Sequence, residues 1–350
     1  MPSVASAVRQ RIDCRCGFRA RSVFLANLES TPTQAVPKDI TGCIPPDARL
    51  LIEKRLLMKA TQALFLTALV SLSCLLSATA QDTVGLAPPM KVLLVAGGCC
   101  HDYDTQTKLL KAGIEERLNA TVTVVYNPSK GTDATFEIYR ENGWAKGYDV
   151  VIHDECSASV TEKPYVERIL AAHRDGVPAV NLHCAMHSYR WGDFREPVEI
   201  GADNAAWYEM IGVQSTGHGS QSPIDIHYSD KAHPIVQGFE DWKTINEELY
   251  NNVRIFGSTT VLATGLQEQS PNKKEQKSNP QSETRKAEAA IVWTNEFGPK
   301  KTRIFSTTLG HNNDTVADPR YLDLVTRGLL WATGNLSADG TVSPGLQLKK

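Results

Sequence analysis

The stretch Val180-Asn181-Leu182-His183-Cys184-Ala185-Met186-His187 places two imidazoles and a thiol within five positions, after a proline-led apolar run. Three chemistries fit these groups. Cys184 could be a thiol nucleophile with His187 or His311 as base, since a thiolate attacks and a neighbouring imidazole takes its proton. Several histidines could hold a divalent metal such as zinc together with an Asp or Glu. His and Glu could also perform metal-free acid/base work on a sugar or a small carbonyl compound. His183 and His187 stand in His-x3-His spacing, which brings two imidazoles together only on a helix. No HExxH motif is present. The spacing alone leaves all three open.

Such groups need elements to aim them. Residues 91–98 (KVLLVAGG) form an apolar run ending in Gly-Gly, the pattern of a buried parallel strand entering a loop. Leu109, Leu110, Ile114 and Leu118 recur at helical spacing over 104–118. Residues 121–126 (TVTVVY), 148–152 (YDVVI) and 178–182 (PAVNL) read as strands, and 162–173 as a helix with Gly176 beyond its end. Alternating strands and helices predict a parallel sheet with helices on both faces. Ligands of such sheets bind at the strands' carboxyl ends. There the histidines gather: His101 follows the first strand, His153 the strand ending at Ile152, His183 the strand ending at Leu182, and His311 the run TRIFSTTLG. His218 lies in the loop TGHG. His173, late in its helix, is expected to be solvated, and His233 to sit in a turn.

The second half is more mixed. Residues 222–228 (SPIDIHY) alternate like a half-exposed strand, and 259–263, 289–293 and 302–306 are further strands. Residues 265–288 are polar and low in complexity, and are expected to form a long solvated hairpin loop, disordered or not. Residues 319–333 form an amphipathic closing helix with Gly334 as its cap, followed by a polar tail over 338–350. Trp207, Trp242 and Trp293 could offer faces for sugar stacking, although core packing accounts for each of them better.

With 350 residues, 41% hydrophobic, and a formal net charge of -2, the chain lacks the basic footprint of nucleic-acid binders. From Met58 it shows a lysine, an apolar run from about Ala63 to Leu76 and then Ala78-Thr79-Ala80, which describes a secretory signal peptide. The expected organisation is therefore an N-terminal extension over 1–57, outside the native start or disordered, a signal segment over 58–80, a linker over 81–90 and one domain over 91–337. Export to the periplasm or the outside follows, with membrane contact only through an uncleaved signal segment. Cys99, Cys100, Cys156 and Cys184 fall in the domain, too few for a disulfide framework; adjacent cysteines rarely bond each other, and either the thiols are buried at strand ends or one pair is oxidised.

Several segments together resemble a known family. KVLLVAGGCCHDY, VPAVNLHCAMHSYRW, HYSDKAHPIVQGFEDWKTINEELY, IVWTNEFGPKKTRIFSTTLGH and GLLWATGN run in order from Lys91 to Asn335 and look like the ThuA-like (trehalose-utilisation) family. The resemblance implies a flavodoxin-like α/β fold similar to class I glutamine amidotransferases: a three-layer sandwich with a mainly parallel sheet. It also implies that His183 occupies the position of the amidotransferase nucleophile, with Cys184 one residue off it, and that His311 corresponds to their catalytic histidine. Asn312-Asn313-Asp314 lacks the His-Pro-Glu continuation, so glutaminase chemistry is not expected. The ELY motif adds Glu248 and Tyr250. The resulting expectation is an enzyme acting on keto-sugars or glycosides, with His183, His311 and Glu248 catalytic. His183 and His311 are also candidate metal ligands, and His101, His153, His187, His218 and Tyr250 line the substrate site. A catalytically silent sugar-binding or scaffold protein and a thiol hydrolase using Cys184 are the alternatives. The partner is a small carbohydrate, and self-association into a homo-oligomer is left open.

Overall fold

Met90–Gly98 (β1) is buried at every position but Lys91, as a strand covered on both faces must be. In the computed structural model, residues 88–347 are described, apart from Asn272 and the side chains of 273–275. The extension 1–57, the signal segment 58–80 and most of the linker lie outside the described residues. Along the chain follow α1 (Tyr103–Arg117), β2 (Ala120–Asn127), β3 (Val150–Cys156), α2 (Lys163–Arg174) and β4 (Ala179–Leu182). A 3-10 turn (His183–His187) leads to α3 (Ala206–Ile211), then β5 (Val213–His218), β6 (Ser222–Tyr228), β7 (Trp242–Glu247) and β8 (Tyr250–Ile255). The chain continues with β9 (Thr260–Gln269), α4 (Lys273–Ser278), β10 (Arg285–Phe297), β11 (Thr302–Thr307), α5 (Asn313–Val316) and α6 (Pro319–Ala332).

The strands pair in the order β2-β1-β3-β4-β11-β10-β9-β6-β7, while β5 and β8 make a separate ribbon. The first five are parallel, and the sheet continues by antiparallel pairing from β11 onwards. Strand alternation divides β1 between two cores: Val92, Leu94 and Ala96 pack with α1 and α6 residues, whereas Leu93 and Val95 pack with α2 and α3 residues. This is the three-layer, flavodoxin-like sandwich. Gly328 of α6 lies so close to Phe305 of β11 that an added Cβ would stand 2.4 Å from the ring, which fixes how tightly the closing helix seats on the sheet.

The expectations for the polar segment and for the adjacent cysteines need correction. Residues 265–288 do form a hairpin, but with regular arms: β9 runs on to Gln269 and pairs with β10 from Arg285, and α4 lies between them. These strands keep their polar residues because buried Gln267 finds partners, donating to the carbonyls of Ser222 and Glu247. The described part of the tail is tied down, with Leu346 buried and its carbonyl accepting from Asn119 N. Cys99 and Cys100, although adjacent, are joined by a disulfide. Among the described residues no helix is long and apolar enough to cross a membrane.

His153 does not follow a strand; it lies inside β3, fully buried and facing the core on the α2 side. His173, expected to be solvated, is fully buried beneath it. His173 Nδ1–H donates to Val177 O at 2.7 Å, so its Nε2 accepts from His153 Nε2–H at 2.9 Å. His153 Nδ1 faces Glu155 Oε1 at 2.9 Å, and the same oxygen accepts from Tyr139 and Tyr189. The network is structural. His153 is therefore withdrawn from the substrate-binding set.

This pair has a consequence for acid stability. Burial, with His153 beside it, lowers the pKa of His173 to about 3. The unfolded chain takes up this proton near pH 6.5, long before the folded chain does. The contribution of His173 is thus complete above pH 6.5 and is lost as pH falls towards 3, at up to about 1.4 kcal/mol per pH unit. Urea midpoints at pH 7, 5.5 and 4 should fall steadily. A His173→Asn variant should show a flatter dependence over the same range.

Candidate functional site

At the end of β4 the chain turns sharply. Leu182 is extended, and His183 then adopts φ +38°, in the left-handed region that non-glycine residues rarely enter. The strained residue of the turn is His183, and Cys184 follows it into the 3-10 segment. Thr308 O receives the His183 Nδ1–H at 2.6 Å. The other nitrogen, Nε2, is buried and has no hydrogen-bond partner. It points at Glu248 Oε2, 3.5 Å away.

Glu248 comes from the link between β7 and β8, strands that the sequence reading missed. It is buried, and three imidazoles surround it: His183 Nε2, His218 Nε2 at 3.5 Å and His311 Nδ1 at 3.3 Å. Burial opposes its charge, but His183 and His311 outweigh burial and hold the carboxyl far below the usual range. For His311, burial opposes protonation, and Glu248 more than offsets it, raising the pKa.

The loop carrying His311 is held from three sides. Glu247 accepts from the backbone N–H groups of His311 and Asn312. Gln106 donates to the carbonyls of Gly310 and His311. Gln221 lies 2.7 Å from His311 Nε2 and donates to Glu248 Oε1 at 3.3 Å. Sequence reasoning missed these three. The only signal for any of them was the acidic residue before the ELY motif, which is Glu247.

His101 completes a triangle of rings, with centroids 4.7 Å from both His183 and His311, which are themselves 5.4 Å apart. It donates from Nδ1 to His311 O, and its Nε2 accepts from the Cys184 thiol at 3.0 Å. Burial, then the charges of His183 and His311, lower its pKa to about 3. The imidazole on Cys184 is therefore His101, and not His187 or His311. The thiol is buried, and Cys156 together with burial pushes it well above the ordinary thiol value. That works against a reactive thiolate.

His187 lies one layer back. It bonds Ser215 Oγ at 2.9 Å and stacks on Tyr250 at 4.2 Å. Tyr250 in turn faces the His183 ring at 5.1 Å. His218 is exposed at the rim. Trp207 and Trp293 are fully buried and bonded to backbone carbonyls, hence core residues, and Trp242 is half-buried beneath Arg320.

Ligand atoms of His183, Glu248 and His311 all lie within 4.8 Å of one another, a spacing a single cation can bridge. A metal requires His311 Nδ1 unprotonated, and hence Gln221 presenting its oxygen to Nε2–H and giving up the hydrogen bond that it donates to Glu248 Oε1. Two clefts lie beside the group, and the smaller touches it at His311. One of about 950 Å³ touches His218 and Tyr250, and another of about 600 Å³ touches His101, Gln221 and His311.

The profile of the ThuA family, described as trehalose utilisation, matches residues 91–332. A ThuA-like protein from Parabacteroides merdae is similar in structure at 21% identity, over 75% of this chain and 98% of its own, with a TM-score of 0.49. Another from Bacteroides uniformis is similar at 15% identity, over 70% of this chain and 92% of its own, with a TM-score of 0.47. No curated protein sequence matches the chain. The profile covers well over half of the sequence, and this chain belongs to the ThuA family.

Proposed function

We propose that this protein processes a keto-sugar or a glycoside by His/Glu chemistry at His183, Glu248 and His311, with those three residues as ligands of a divalent cation such as zinc. The observation that carries the reading is the buried carboxylate of Glu248 set between an unpartnered imidazole nitrogen of His183 and the Nδ1 of His311. Buried polar atoms without partners are rare, and two of them aimed at one carboxylate form a ligand set. When bound, the cation would supply Lewis-acid polarisation of a substrate oxygen.

The chain's own groups do the rest. Thr308 fixes the tautomer of His183, and Glu247 with Gln106 fixes the backbone at His311. His218, exposed beside Glu248 at the rim, would exchange a proton with a substrate hydroxyl. The larger cleft is lined by hydroxyl and amide groups, among them Ser220, Asn251, Asn252 and Gln269, which suit a polyhydroxylated ligand. Trehalose utilisation, the description of the family, supports the same class. We propose further that the protein acts after export, on the strength of the signal-like segment from Met58.

A panel of keto-glycosides and their parent sugars tests the reading. His183→Ala and His311→Ala should each lower turnover of the active member by roughly 10²-fold or more. A protein that binds sugars but turns none over, or variants as active as the wild type, would leave a silent binding role instead.

A further inference from the structure

Behind His101 lies a second group of ligating side chains that the proposed chemistry does not use. Gly98 approaches β3 so closely that an added Cβ would stand 2.3 Å from Cys156 O, and its φ is +97°. Only glycine permits that approach, and it brings the next residue, Cys99, against Cys156. Cys99 Sγ and Cys156 Sγ are 3.2 Å apart, and the sulfurs of Cys99, Cys100 and Cys156 all lie within 4.8 Å of one another. Cys99 and Cys156 are buried, while Cys100, at φ +83°, is exposed and lines the smaller cleft.

We propose that Cys99, Cys100 and Cys156 form a redox-gated site for one thiophilic cation, Cu(I) or Zn(II), separate from the His183–Glu248–His311 group. In the disulfide form the site is closed, because two of its three sulfurs are bonded to each other. A dithiol reductant opens it. Two electrons and two protons pass to Cys99 and Cys100, and the dithiol leaves as its own disulfide. The incoming cation then displaces one proton from each sulfur that ligates it. Sulfurs about 2.3 Å from a common metal stand roughly 3.8–4.0 Å apart, which is within the observed spread. Thiolate donors select soft or borderline cations over magnesium or calcium. Cys100 at the cleft supplies the access path that such a site needs. Cys184, bonded to His101, stays outside the set.

Cadmium is the probe, because its thiolate complexes absorb in the near ultraviolet and its imidazole and carboxylate complexes do not. The full chain is reduced anaerobically with a dithiol, freed of it, and titrated with Cd(II) alone. The expected result is a charge-transfer band that saturates at about one equivalent, and no saturable band from the disulfide form. Cys100→Ser, at an exposed position where the fold is not at risk, should weaken the titration at least tenfold, as should Cys156→Ser. His311→Ala and Cys184→Ala should leave it in place. The proposal is overturned if the reduced wild type shows no saturable band, or if Cys100→Ser and Cys156→Ser both titrate like the wild type.

Discussion

Glu248→Gln should lower turnover by roughly 10²–10⁴-fold while the protein stays folded. The substitution keeps the shape of the side chain and its place between His183, His218 and His311. It removes the negative charge that those imidazoles hold in its ionised form. A neutral amide is a poor cation ligand and cannot take a proton, so both roles proposed for Glu248 fail together. The loss should appear in kcat more than in KM, since the clefts that would bind the substrate are lined mainly by other side chains. Glu248→Asp keeps the charge on a shorter arm and should recover part of the loss. Steady-state kinetics on the active substrate checks both variants. Equal activity of Glu248→Gln and wild type would remove Glu248 from the mechanism.

His153→Ala should have the opposite profile, a large loss of stability with little change in turnover per folded molecule. Its imidazole is fully buried, donates to His173 and faces Glu155. Truncation leaves the His173 Nε2 without its donor and the Glu155 carboxyl with only its tyrosine partners. Each buried polar group left without its partner costs about 1–3 kcal/mol, and the cavity left by the ring adds to that, for roughly 3–5 kcal/mol together. For a domain of this size that is a fall in Tm of roughly 10 °C. Denaturant midpoints measure the first effect and kinetics at a permissive temperature the second. A stable variant with abolished turnover would return His153 to the active site.

The contrast between the two residues shows where sequence reasoning works on this chain. Apolar runs and helical spacing locate β1, α1, β2, α2, β4, β11 and α6 to within a few residues, because burial on both faces leaves a plain pattern. The elbow at His183 was legible through the resemblance, and its positive φ agrees with that placement. His153 was misplaced because β3 continues through His153-Asp154-Glu155, where burial is sustained by side-chain partners that no periodicity displays. The strands β7 and β8 were missed because their burial does not alternate regularly, unlike that of β6, so Glu248 was named from a motif without the turn that aims it. Gln221, Gln106 and Glu247 act through contacts 64 to 205 residues away in sequence. Only the folded sheet edge brings them to His311.

The most direct test of the central claim is a metal count on the purified full chain in its disulfide form, after dialysis against Zn(II) and then against metal-free buffer. The account predicts about one equivalent retained per chain, retained equally by Cys156→Ser, and lost from Glu248→Gln and from the double variant His183→Ala/His311→Ala. Zinc that the wild type fails to retain, or that the Glu248→Gln and double-histidine variants hold as tightly as the wild type, would contradict it.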